Sequence, residues 1–326
     1  MIHADDRRTR LERWLGAELG GERFSLAPAS EDASFRRYFR ATLEDGRTFV
    51  IMDAPPDKED CRPFVHVAEL LERAGVHAPK VHAADLGAGF LLLSDLGTRT
   101  YLAELKGENA DPLMRDATDA LLRWQLATRP NELPAYDEAL LRREMSLFPD
   151  WYVARHRQMT LSAAQAQTLD AIFATLVASA TAQSKVYVHR DYMPRNLMVS
   201  EPNPGVLDFQ DAVLGPITYD MVSLTRDAFI SWEDERVLDW SARYWEKAKR
   251  ARLPVASDFA EFWRAFEWMG LQRHLKVLGI FARINYRDGK PKYLEDTPRF
   301  LAYARAVAKR YRDLAPLARL LDEIAP

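Results

Sequence analysis

Only one cysteine, Cys61, occurs in 326 residues, so an intrachain disulfide is impossible and a cysteine-built metal site is excluded. Long apolar runs are missing too. Pieces such as Phe90-Leu91-Leu92-Leu93 fall far short of the ~20 apolar residues that a membrane-crossing helix needs. Met1–Arg10 is polar and charged and lacks the apolar core of a secretory leader, so a cytoplasmic location is expected. Neither sign of charge dominates: the net charge is −3 and the isoelectric point near 6.2, which gives no basic face for nucleic acid. Neither nucleic-acid nor membrane partners are expected. No internal repeat or low-complexity stretch is present, and the length suits one large bilobal unit or two domains.

What is present is concentrated in His189-Arg190-Asp191-Tyr192-Met193-Pro194-Arg195-Asn196. Val186-Tyr187-Val188 before it and Leu197-Met198-Val199 after it are β-prone, and Val206-Leu207 then leads to a second acid, Asp208. Taken alone, His189-x-Asp191 also reads as a turn or helix cap. The spacing of Asp191, Asn196 and Asp208 fits phosphoryl transfer. Such chemistry needs one acid to orient and deprotonate an attacking hydroxyl, here Asp191. It also needs hard oxygen ligands for Mg²⁺ on the nucleotide phosphates, here Asn196 and Asp208.

This stretch, with Val206-Leu207-Asp208-Phe209-Gln210-Asp211 through Tyr219-Asp220, resembles the aminoglycoside phosphotransferase-like branch of the kinase superfamily. Further segments extend the likeness over nearly the whole chain: Ala33–Arg40, Met52-Asp53-Ala54-Pro55-Pro56, Leu92–Gly97 and Arg273–Gly279. These are similar to one subgroup, the bacterial anomeric N-acetylmuramate/N-acetylglucosamine kinases of cell-wall recycling. The resemblance implies an α+β, bilobal protein-kinase-like fold, with a small antiparallel β-sheet N-lobe and a larger, mainly helical C-lobe. It also implies ATP and Mg²⁺ as cofactors and an amino sugar as the small-molecule substrate. Leu92, Leu93 and Ser94 would offer backbone groups to adenine. Asp220 would brace the catalytic loop, unless it is simply an N-cap.

Periodicity agrees with two lobes. Leu11, Trp14, Leu15 and Leu19 predict an opening helix, Tyr38–Asp53 a hairpin turning at Asp45-Gly46, and Phe64–Leu71 a helix ending near Gly75. Val81–Ala84 and Gly89–Leu93 add strands. Helices are expected over Leu113–Thr128, Glu138–Arg155, Ser162–Ala182, Met221–Phe229, Asp234–Arg250, Phe259–Ile284 and Arg299–Tyr311. Residues 1–95 would form the nucleotide-covering lobe, and 96–326 the lobe with the catalytic loop and substrate site, leaving a cleft near Leu92–Leu96. Trp232, Trp240, Trp245, Trp263 and Trp268 read as packing aromatics, with sugar stacking open for one of them.

Two features depart from the kinase pattern. The loop Ala29–Arg37 has no glycine, and Met52 stands where a phosphate-binding lysine is usual. Phe64-Val65 occupies the place of that lysine's usual glutamate partner. Either the site is degenerate, or another cation does the work; Arg36 and Arg37 are the candidates, with Ser34 in the same loop, though both arginines also fit a solvated hairpin edge. Asp95 is read as a cap or a ribose contact. Arg226, Asp227 and Arg273 are substrate candidates that equally suit a helix surface. Three functions stay open: an amino sugar kinase acting at the anomeric hydroxyl, another small-molecule kinase of the same fold (choline, homoserine or an aminoglycoside), and a nucleotide-binding pseudokinase.

Overall fold

The computed structural model describes residues 4–31 and 35–325. The chain divides into two compact units, residues 1–107 with 195–211, and residues 108–194 with 212–326.

The first unit opens with α1 (Ala4–Glu18), then the strands β1 (Phe24–Glu31), β2 (Arg37–Leu43) and β3 (Thr48–Asp53), helix α2 (Arg62–Arg73), and strands β4 (Val81–Asp85) and β5 (Phe90–Ser94). They form one antiparallel sheet in the order β1-β2-β3-β5-β4. The expected hairpin is β2–β3, in register Arg40↔Val50, and Gly46 takes φ 87°, a value glycine adopts without a Cβ clash. Leu11, Leu15 and Leu19 pack on Phe39, Ala41, Leu43, Ile51, Phe90 and Leu92, so α1 covers one face of the sheet. Strand β1 has no counterpart in the sequence reading. Its Pro28 argues against a central strand, and it lies at the sheet edge with a register shift between Pro28 and Ser30.

The second unit is mainly helical. After the short α3 (Tyr101–Glu104), which still belongs to the first unit, come α4 (Ala110–Leu126), α5 (Glu138–Leu147), a π-helical run Phe148–His156 and α6 (Ala163–Ala182). The helix expected over Glu138–Arg155 thus changes pitch at Phe148-Pro149, because proline cannot donate the i→i−4 bond. Next come β6 (Lys185–Val188), the first unit's small hairpin of β7 (Leu197–Met198) and β8 (Gly205–Val206), and β9 (Val213–Pro216). Strand β9 pairs antiparallel with β6, a long-range match that local pattern did not reveal.

Helices α7 (Tyr219–Thr225), α8 (Asp234–Arg250), α9 (Phe259–Asp288), α10 (Thr297–Arg310) and α11 (Ala315–Ile324) complete the unit. The last was not expected from sequence; its proline falls in the first turn, where no amide is needed. α9 is the helix the others surround, buried along most of Phe262–Ala282. Trp240 and Trp268 are buried, and the Trp240 and Trp245 indoles donate to Asp111 and to the Ala256 carbonyl, which is packing chemistry. Among the described residues, no helix is long and apolar enough to cross a membrane.

Gly279 lets α9 approach the main chain of Leu147 so closely that a Cβ there would overlap it. Gly279→Ala should therefore cost ~1–3 kcal/mol and lower Tm. Gly16→Ala on α1, where a methyl meets nothing within 4 Å, should be neutral or add ~0.5–1 kcal/mol. Equal melting temperatures for the two variants would contradict the packing argument.

Candidate active site

In the second unit, the buried strand β6 delivers His189, Arg190 and Asp191. Arg190 has φ 74°, a left-handed conformation that costs a non-glycine residue on the order of 1–3 kcal/mol. The surroundings force it. Asp220 accepts the His189 amide at 2.7 Å on one oxygen and the Arg190 amide at 2.9 Å on the other. Ser223 Oγ donates to the Arg190 carbonyl at 3.2 Å. The Arg190 guanidinium pairs with Glu144 at 2.5 Å and lies over the Tyr136 ring. The Tyr192 hydroxyl anchors the far side of the turn on the Ala117 carbonyl at 2.8 Å. Asp191 emerges from this support with its side chain 39% exposed.

Asp220 lies within the first turn of α7 and is fully buried, and it serves the loop rather than capping the helix. Burial pushes its carboxyl up to about 7, against the pull of the two amides. Glu144 goes the other way. Burial alone would raise it, but Lys276, paired at 2.8 Å, and Arg190 outweigh that and hold the carboxyl at about 2. Lys276 also donates to the Tyr219 hydroxyl at 3.1 Å, and Tyr136 donates to Glu144.

Of the three substrate candidates, Arg273 is brought to Asp191, with Nη2 at 3.9 Å from the carboxylate. Arg226 pairs with Asp234 at 2.6 Å and lies over Tyr303; Asp227 is buried and accepts the Phe229 amide. Sequence reasoning missed Glu144, Lys276, Ser223 and Tyr136. A glutamate on an amphipathic helix reads as solvated, and only its partners reveal otherwise.

In the first unit, the β7–β8 hairpin sets Asn196 and Asp208 side by side at its open end, since they flank the pair Leu197↔Val206. Asn196 Nδ2 donates to Asp208 at 3.2 Å, and the Asn196 carbonyl accepts the Leu207 amide. Asp208 is also left-handed, at φ 61°, and the next residue, Phe209, is buried against Phe64 of α2 with ring centroids 4.6 Å apart. Gln210 Nε2 reaches the other Asp208 oxygen at 2.9 Å, while its Oε1 is buried with no hydrogen-bond partner among the described residues. Asp208 and Asn196, with Gln210 beside them, carry hard oxygens of the kind that Mg²⁺ takes. No group of three or more His, Cys, Asp or Glu suggests a protein-only cage among the described residues.

The two arginine candidates for the nucleotide phosphates differ in their surroundings. Arg37 engages the buried Asp53, which also takes Arg7 of α1 at 2.7 Å, so Arg37 belongs to the α1 face. Met52, next along the alternating strand, belongs to the opposite face and is buried there. Arg36 is half-buried and close enough to Cys61, just before α2, to bear on its thiol. Ser34 lies outside the described residues. Leu92 and Leu93 are paired on both edges, with β3 and β4, and Ser94 Oγ accepts the Lys80 amide at 2.8 Å. Asp95 accepts Arg40 in a two-point contact at 2.6 and 2.9 Å and the Gly97 amide at 2.9 Å, so it closes a turn.

Residues 25–256 match the phosphotransferase enzyme family. The chain belongs to that family. It is a phosphotransferase of the kinase type, and its fold is the α+β, protein-kinase-like one expected from the sequence. This phosphotransferase is 57% identical over 300 residues, 92% of its own length and 88% of the relative's, to an N-acetylmuramate/N-acetylglucosamine kinase of Pseudomonas putida. It is 51% identical to a Neisseria meningitidis protein of the same name, covering 98% of this chain and 96% of that one. Among solved structures, it is similar to a choline/ethanolamine kinase family protein from Mesorhizobium loti, with TM-score 0.64, 12% identity and coverage of 97% and 99%. An ADP-bound aminoglycoside phosphotransferase gives TM-score 0.58 at 15% identity, covering 90% of this chain and 97% of that one.

Glu144→Gln strips two buried cations of their counter-charge and should cost ~3–5 kcal/mol at neutral pH. Its folded pKa, about 2, lies below the ordinary 4.5, so its contribution is present above pH 4.5 and lost as pH falls through 2. The difference in urea midpoint between wild type and variant should therefore close over that window. Asp220 has the opposite sign: raised from 3.8 to about 7, it contributes below pH 3.8 and loses that contribution as pH rises through 7. Urea titrations across pH check both; a Glu144→Gln deficit undiminished at pH 2 would exclude charge as its source.

Proposed function

We propose that this phosphotransferase uses ATP to phosphorylate the anomeric hydroxyl of N-acetylmuramate or N-acetylglucosamine, as a cytoplasmic step of cell-wall recycling. The observation that carries the reading is 51–57% identity, over 88–96% of their length, to relatives named for those two sugars. The surroundings of Asp191 agree with it. Arg273 lies beside that acid, and its guanidinium offsets the negative charge that a cationic aminoglycoside or choline would otherwise meet there.

Asp191 would hydrogen-bond the acceptor hydroxyl and take its proton as the oxygen attacks the γ-phosphorus. The bond from phosphorus to the β-bridging oxygen breaks and ADP leaves. An anomeric hydroxyl is more acidic than an ordinary alcohol, so a carboxylate is an adequate base. Asn196 and Asp208 would hold Mg²⁺, which when bound neutralises phosphate charge. The adenine would meet the chain where β5 ends, after Leu92 and Leu93 and next to Ser94.

ADP release should be seen with either amino sugar and not with choline or kanamycin, and phosphorus–proton correlation on the product should couple to H1. Coupling to the C6 protons would reject the anomeric assignment. Asp191→Asn should lower kcat by ~100-fold or more with nucleotide affinity nearly unchanged, whereas Asp208→Ala should abolish magnesium-dependent nucleotide binding in calorimetry. Near wild-type turnover in Asp191→Asn would sink the role given to that loop.

For the cation that stands in for the absent lysine, the engagement of Arg37 with Asp53 on the α1 face favours Arg36. Arg36→Ala should lower kcat/KM for ATP ~tenfold or more, the scale of one charge-assisted contact. Arg37→Ala should act on stability instead, through Asp53. The reverse pattern in kinetics and melting would exchange the two roles.

A further inference from the structure

Behind Asp191 lies a guanidinium that is only 5% exposed, that of Arg273 on α9. A buried guanidinium is costly unless charge and hydrogen bonds compensate it. Arg273 Nε donates to Ser223 Oγ at 2.7 Å, and its cation lies 5.9 Å from the Tyr219 ring centroid. Carboxylates near it include Asp220 and Asp191. Asp220 already spends one oxygen on each of two loop amides, and Glu144 is taken by Lys276 and Arg190. Asp191 is the acid whose nearer oxygen, Oδ1, faces Arg273 Nη2 at 3.9 Å.

We infer that Arg273 is a positioning residue for phosphoryl transfer rather than a substrate contact. It draws Oδ1 of Asp191 inward and so fixes the rotamer in which Oδ2 is presented to the acceptor hydroxyl. Ser223 couples the two ends of this arrangement, because its hydroxyl accepts from Arg273 and donates to the Arg190 carbonyl, one residue before Asp191. The separation is that of an ion pair rather than a hydrogen bond, and catalytic contacts of this kind commonly tighten when substrate is bound. The inference rests on Asp191 being the proton acceptor.

Kinetics on the full chain, with ATP and the accepted amino sugar, test it. Arg273→Gln should lower kcat ~10-fold to 100-fold while leaving KM for both sugar and ATP within about threefold, the signature of an interaction used in the transition state. Arg273→Lys, which keeps the charge, should recover part of the loss. The deciding measurement is the double variant: with Asp191→Asn in place, adding Arg273→Gln should change kcat less than about twofold, because the path through Asp191 is already gone. A sugar KM that rises at constant kcat would make Arg273 an acceptor contact and overturn the inference. Losses that multiply in the double variant would reduce Arg273 to a structural part. If Arg273→Gln does not fold, Ser223→Ala carries the same test, with a kcat loss of ~threefold or more that disappears in the Asp191→Asn background; full activity in Ser223→Ala overturns the proposal. An Asp191→Asn enzyme that turns over normally removes the base assignment itself, an outcome separate from all of these.

Discussion

One buried carboxylate, Asp220, holds the loop that carries Asp191. Its two oxygens take the amides of His189 and Arg190, and that pair of bonds keeps Arg190 in a left-handed backbone conformation at φ 74°. Glycine would occupy such a position without strain, so an arginine there needs compensation. The side chain provides it through Glu144 and Tyr136. Backbone strain and a buried ion pair thus support each other, and the direction in which Asp191 leaves the loop follows from both.

The charges of this region are arranged in shells with α9 as the common wall. Arg273 and Lys276 lie three residues apart on that helix and therefore share a face. Lys276 reaches Glu144 on α5 and Tyr219 on α7, while Arg273 reaches Ser223 on α7 and Asp191 in the loop. Further along α9, Gly279 gives the room for close approach to Leu147. A long helix buried on most sides can carry two charged residues only because each one ends on a partner of opposite charge or a hydroxyl.

The sequence was legible where spacing encodes chemistry. Asn196 and Asp208 sit at a fixed interval because the hairpin of two-residue strands between them sets the two side chains next to each other. The β2–β3 turn at Asp45-Gly46 was legible for a similar reason, since its geometry demands φ values that few residues adopt. Legibility ended where the deciding partner is far away in the chain. Strand β9 exists because β6 pairs with it, and Glu144 is buried because Lys276 and Arg190 meet it there. A single acidic residue on a helix carries no local mark of that fate.

What the sequence by itself determined is the reaction class and the kind of fold, because these depend on residue types at short, fixed separations; it put residues 195–211 in the helical lobe, whereas their contacts place Asn196 and Asp208 in the first unit. The tertiary structure alone decided that Arg37 serves Asp53 on the α1 face while Met52 faces the other way, and that Arg273, not Arg226 or Asp227, stands beside Asp191. Those choices turn on which face of a strand or helix a side chain occupies and on which counter-charge waits there, and burial makes an unmatched choice too costly to persist.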